Sequence, residues 1–314
     1  MASQELIKKL ESYTRGELNT YLKENKVGED VLRHFADRVD WEAISKYQLL
    51  SEEFIREFAD RVDWYGVSHS QNLSESFIRE FQDMVNWSAI TYYQKLSEEF
   101  IREFTDKVNW NSISRGQTLS EGFIREFQDR VYWQEISKSQ LLSENFIREF
   151  ADNVDWKAIS EYQLLSEDFI REFADRVDWQ LISKKQSLSE DFIREFQEKV
   201  NWKDISHEQT LSEPFIREFA DKVDWPWISW HQTLSEPFIR EFADSVDWEA
   251  ISFNQPLSED FICDFFDRLA WDGLIRNDNI HPDLICSALD KITRKIKEAK
   301  EGTSCLNLKG RTKK

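Results

Sequence analysis

Residues 165–187 read LSEDFIREFADRVDWQLISKKQS, and close copies of this 23-residue phrase fill most of the 314-residue chain. Tryptophan marks the period at 41, 64, 87, 110, 133, 156, 179, 202, 225, 248 and 271. With Leu165 as position 1, nine close copies run from Leu50 to Pro256, a divergent one spans Val27–Leu49 and a decayed one Leu257–Asn279. IHPDLICSALDKI (280–292) keeps the apolar spacing without the tryptophan. A fixed period of this length marks a repeat array in which each unit is one supersecondary element and the terminal units are atypical.

Each unit carries two helix starts. Serine at position 2, followed by glutamate, is an N-cap signal, with Leu at position 1 and Ile at position 6 as a hydrophobic staple. Position 14 is Asp in six units and Asn in three, with Tyr132 and Ala270 as exceptions. Val at 13 and Ile at 18 staple that second start. One continuous helix would be apolar on two opposite faces, whereas a break at position 14 turns both apolar sets into one core. Pro214, Pro237 and Pro282 fall in the first turn of a first helix, and Pro226 in the first turn of a second. The expected unit is therefore a helix of about 11 residues and one of about 8, neither stable alone.

The chain is thus expected to be an all-α αα-hairpin repeat solenoid of about eleven units with helical caps, its hand left open by the sequence. At about 8–10 Å per layer the array would be roughly 100 Å long. Expected boundaries are an N-terminal cap at 1–26, repeats at 27–279, a capping half-repeat and helix at 280–302 ending at Gly302, and a disordered basic tail at 303–314. Leu6, Ile7, Leu10, Leu18, Tyr21 and Leu22 are the apolar contribution of the first cap, and Leu284, Ile285, Ala288, Leu289, Ile292 and Ile296 that of the last.

Comparison between units separates frame from surface. Glu at 3, Arg at 7 and an acid at 11 form an expected i,i+4 ladder along the first helix, as do Glu at 8 and Lys or Arg at 12. Ser at 19 and Gln at 22 share a face with Trp and Ile, and are expected to build buried hydrogen-bond ladders between layers. Positions 16, 17, 20 and 21 vary and are expected to face outward, the usual place for specificity on a uniform frame. There Trp227, Trp230 and His231 sit one unit before Phe253, an aromatic group of the kind that anchors a protein partner. Tyr65, His69, Tyr92 and Tyr93 form a second such group.

Net charge is −19, unevenly spread: residues 291–314 hold nine Lys/Arg and two Glu, leaving −26 for residues 1–290. That charge serves solubility, or offers basic proteins an acidic surface that repels or mimics nucleic acid. The basic tail at 291–314 is the one segment suited to an anionic partner, or it folds back on the acidic body. Cys263, Cys286 and Cys305 lie late in the chain and make no disulfide framework, which points to free thiols and an intracellular protein. No signal-peptide core and no membrane-length apolar run is present. There is no phosphate loop, nucleophile elbow or metal motif, and the five histidines are scattered, so no catalytic residue, metal, cofactor or small-molecule substrate is expected.

LSEDFIREFADRVDW followed by ISxxQ resembles the tandem repeats of proteins from giant double-stranded DNA viruses, the marseillevirus-like group especially, over Val27–Asn279. The resemblance implies a viral protein working inside an infected cell or particle, and brings no activity with it. The sequence therefore points to a non-enzymatic interaction scaffold, with a self-associating assembly component, and an acidic surface that captures basic proteins or mimics nucleic acid, as the alternatives.

Overall fold

The computed structural model describes the backbone of residues 2–309 and the side chains of residues 3–297. The described residues form helices and no strand. They group into two compact units, Met1–Gln163 and Leu164–Lys314, each a stack of the same helical pairs.

The pair at residues 50–72 shows how one repeat is built. Ser51 caps the first helix, its hydroxyl accepting from the Phe54 amide at 3.1 Å. That helix spans only Glu52–Glu57, six residues rather than about 11. It breaks at Phe58, whose backbone (φ −117°, ψ 29°) has left the helical region. A separate turn follows, closed by the Arg61 and Val62 amides donating to the Phe58 carbonyl. The break lets the rings of Phe54 and Phe58 lie 4.8 Å apart on one side of the chain. Asp63 then caps the second helix, Trp64–Ser70, by accepting from the Gly66 amide. The predicted break at position 14 is therefore present. No described residue has a positive φ. The connections are made by extended residues, which explains how so looped a chain needs only 8 glycines.

Phe at 5, Ile at 6 and Ile at 18 form the fully buried core, with Leu at 1 and Val at 13 nearly so. Tryptophan differs from expectation: it is half-buried at the core's edge. The Trp64 indole N–H donates to the Ala59 carbonyl at 3.0 Å, and its ring lies 5.0 Å from Phe81 of the next repeat. The indole thus satisfies its polar edge on the backbone of its own repeat and bridges to the next layer with its ring.

Glutamine at 22 builds a buried hydrogen-bond ladder between layers, as the sequence suggested. Gln71 Nε2 donates to the carbonyls of Ser45 and Gln48 in the preceding repeat, both at 2.8 Å, while its Oε1 accepts from the Leu50 amide at 3.0 Å. Gln94, Gln117, Gln140 and Gln163 repeat this pattern, and Gln209 does so in the second unit. Ser45 at position 19 gives its proton to the Trp41 carbonyl and accepts from the Asp63 amide of the next repeat.

The charged ladder runs differently from expectation. Arg56 keeps its i,i+4 contact with Glu52, but its closest partner is Glu80 of the next repeat, at 2.8 Å. Arg61 at position 12 reaches back to Asp37 of the preceding repeat rather than to Glu57. The first helix ends at position 8, so positions 11 and 12 never lie on it. Each exposed pair contributes about 0–1 kcal/mol, so the ladder sets register more than stability.

Both caps follow the repeat more closely than their sequences suggest. Ala2–Glu11 (α1) packs on Glu29–His34, and Arg15–Glu24 (α2) on Trp41–Tyr47, as a first and second helix would. Gln48 donates to the carbonyls of Leu22 and Asn25, which lie 23 residues before those of Ser45 and Gln48. Asn19 replaces the position-19 serine, its longer side chain reaching the Asp40 amide from one turn earlier. At the far end, Asn277 replaces glutamine on a helix one residue shorter (Trp271–Arg276), donating to the carbonyls of Ser252 and Gln255. The terminal helix, Pro282–Lys309, buries Ile285, Ala288 and Ile292. Leu289 and Ile296, expected in the same buried stripe, are exposed. The helix passes through Gly302 instead of stopping there, because a lone glycine costs a helix only about 1 kcal/mol and the backbone at Gly302 does not turn left-handed. The expected disordered tail is therefore helical to Lys309, and 310–314 lie outside the described residues.

Replacing Gln117 by alanine should lower the unfolding free energy by about 2–3 kcal/mol, because three buried backbone groups lose their partner. The exposed Arg115→Ala beside it should change it by less than about 0.5 kcal/mol, both read by urea unfolding.

Candidate partner-binding surface

Within each unit the second helices stack side by side. Their outward side chains therefore form one row per unit, with position 20 of one repeat beside position 20 of the next. Position 17 does not belong to that outer row. Ala43, Ala89 and Ala250 are buried there, and a Cβ on Gly66 would lie 3.1 Å from the Ser45 Cβ. The side chain at 17 leans against the preceding second helix, so the small residues common there are packing residues.

In the second unit this offset splits the predicted aromatic group in two. Trp227, at position 17, is half-buried. Its indole meets His207 of the preceding repeat edge-on, with centroids 4.3 Å apart. His231 completes that group at 4.5 Å from His207 and 5.3 Å from Trp227. Trp230, at position 20, is 45% exposed and lies 6.2 Å from the half-buried Phe253. Pro226, Trp227 and Trp230 then face Asp247, Glu249 and Ala250 of the next repeat across a cleft of about 210 Å³. The sequence did not single out His207, Asp247 or Glu249. The stagger that brings positions 14, 16 and 17 of one repeat against the second helix of the preceding one is visible only once the helices are stacked.

In the first unit Tyr65, Tyr92 and Tyr93 are each half or more exposed. His69 joins them, 6.0 Å from Tyr65 and 4.0 Å from Tyr93, and Tyr92 lies edge-on to Tyr93 at 4.7 Å. This group is a ridge of aromatic rings.

Burial first, and the charge of His207 second, hold His231 below its ordinary value of 6.5, while Glu208 acts in the opposite sense. His207 itself contacts Glu208 at 2.8 Å. The basic C-terminal segment is in part turned toward the acidic body: Lys291 pairs with Asp260 at 2.6 Å and with Glu259 at 3.7 Å. Among the described residues no helix is long and apolar enough to cross a membrane. No group of three or more His, Cys, Asp or Glu among them is placed to hold a metal ion. Cys263 is buried and Cys286 exposed, both as free thiols.

Comparison with known protein families, curated proteins and solved structures finds no match to this chain.

Because the folded value of His231 is depressed, the unfolded chain takes up the proton first. The stability tied to this residue is present above pH 6.5 and is lost as pH falls through the folded value. An NMR titration should give His231 a midpoint below 6.5, and His207→Ala, which removes both a neighbouring charge and part of the cover, should raise it.

Proposed function

We propose that the protein is a non-enzymatic interaction scaffold that holds protein partners on the outer faces of its second helices. The observation that carries this reading is the clustering of exposed aromatic rings, Trp230 in one unit and Tyr65, Tyr92 and Tyr93 in the other, on a frame whose own core is already closed. Exposed rings on a rigid helix row supply contact area at low entropic cost, and tryptophan and tyrosine dominate binding hot spots. The frame supports this division of labour. The buried serines and glutamines are spent on neighbouring backbone, and the repeated arginines on neighbouring acids. What varies from unit to unit is left to face outward. On its resemblance to giant-virus repeats, the scaffold would work inside an infected cell or particle.

A second reading, self-association, draws on Leu289 and Ile296, which lie exposed on the terminal helix two turns apart. Light scattering separates it, since it requires the mass to rise with concentration above that of a 37.6 kDa monomer.

Affinity capture with the full chain as bait, followed by mass spectrometry, tests the scaffold reading. Trp230→Ala should reduce recovery of a specific partner by more than tenfold, and Tyr92→Ala with Tyr93→Ala should do the same for a partner of the first unit. Urea unfolding should shift by less than about 0.5 kcal/mol in either case, because these rings are not core residues. Partners retained by both variants would reject this surface.

A further inference from the structure

We propose that the cleft between Trp227 and Trp230 is a receptor for one cationic side chain, a lysine or an arginine, presented by a basic segment of a protein partner. This rests on the scaffold reading and names the chemistry that this part of the surface selects.

The size of the cleft comes first. About 210 Å³ lies below the roughly 300–1,000 Å³ of sites that take cofactors and drug-sized ligands. It suits the end of one long side chain. Pro226, Trp227 and Trp230 line it from one repeat, and Asp247, Glu249 and Ala250 from the next. Indole is the aromatic ring that attracts cations best, through the negative face of its π-system. An anionic group would meet two carboxylates, and an apolar one would strip water from them without replacing it. A cation on an aliphatic stem satisfies both halves of the site.

The site is also held in shape. Pro226 stands in the first turn of its helix, Trp227 is fixed edge-on to His207, and Trp230 leans toward Phe253. Asp247 is fixed by its cap to the Ala250 amide at 3.0 Å. Glu249 is exposed, and no basic side chain among the described residues pairs with it.

The chain contains its own precedent. The sequence Asp-Trp-Glu-Ala-Ile-Ser occurs at 40–45 and again at 247–252. At the first copy, the residue in the place of Trp230 is Lys23, and its ammonium lies 3.8 Å from the Asp40 carboxylate. There the chain supplies the cation itself. At the second copy the lysine is replaced by tryptophan, the equivalent carboxylate pairs with no cation among the described residues, and an aromatic wall stands where the lysine stem would lie. The −26 charge of residues 1–290 would bring basic segments to this face.

The test follows the indole N–H resonances of the full-length chain by NMR while N-acetyl-arginine methylamide or its lysine counterpart is added. The uncharged isostere of arginine, N-acetyl-citrulline methylamide, is the control. The Trp227 and Trp230 signals should shift saturably, with at least fivefold preference for the cations. Glu249→Gln should weaken binding at least threefold, while Glu42→Gln, the same change in the copy without indoles, should leave it unaltered. Equal binding of citrulline, equal losses in the two glutamine variants, or unmoved Trp227 and Trp230 signals would each overturn the proposal. If a captured partner still depends on Trp230 after any of these results, the cation chemistry fails and the scaffold survives. If partner capture ignores Trp230→Ala as well, the scaffold reading of this face fails with it.

Discussion

A buried amide group carries this architecture. Most glutamines at position 22 hold two carbonyls of the preceding repeat and the first amide of their own, as Gln94 does with the Ser68 and Gln71 carbonyls and the Leu73 amide. These groups sit where one second helix ends and the next repeat begins, and a chain reversal there would otherwise bury them unpaired. A primary amide offers two donors and an acceptor in one plane, which matches what is missing. Leaving such groups unmet costs about 1–3 kcal/mol each, so the glutamine is closer to an obligation than an ornament. Helices of six and seven residues are far below the length that sustains itself in water. They persist because each layer completes the hydrogen bonding of its neighbour and covers its Phe and Ile side chains.

That dependence on neighbours shapes the ends and the surface. A terminal repeat must meet the same backbone groups without having a further neighbour, and the two caps do this with asparagine placed at shifted positions: Asn19 accepts from the Asp40 amide at one end, and Asn277 donates to the Ser252 and Gln255 carbonyls at the other. Once frame positions are committed to neighbours, only the outer side of the second helix is free to differ. The aromatic rings and the carboxylates of the cleft lie there, held by helices that have no other means of moving independently. Specific chemistry is thereby added without disturbing the stack, which is the physical basis for reading the variable face as the working one.

Much of this was legible in the amino acids because the molecule repeats itself. The caps at Ser51 and Asp63, the buried Ser45 and the glutamine ladder all follow from residue type at a fixed period. What the period could not show were distances across layers. The break at Phe58 comes from packing two phenylalanines on one side, and no local signal announces it. Arg56 was assigned to its own helix but finds Glu80 on the next, because a short helix leaves its end beside its neighbour's. Trp227 counted as outward until the stagger of the second helices showed that position 17 touches the layer before it. The same stagger hid Asp247 and Glu249, which complete the cleft from a repeat later. The N-terminal cap concealed its likeness to the repeat because it shares the geometry of the pair and almost none of the residues.

The amides of Leu73, Leu96, Leu119 and Leu142 lie outside any helix, yet each donates to a buried glutamine oxygen. Native-state hydrogen exchange at these four positions is the most direct test of the account. Protection equal to that of a mid-helix amide such as Ile90, which donates to the Asn86 carbonyl, is the predicted result. Exchange at the rate of an open loop, with Ile90 still protected, would contradict it.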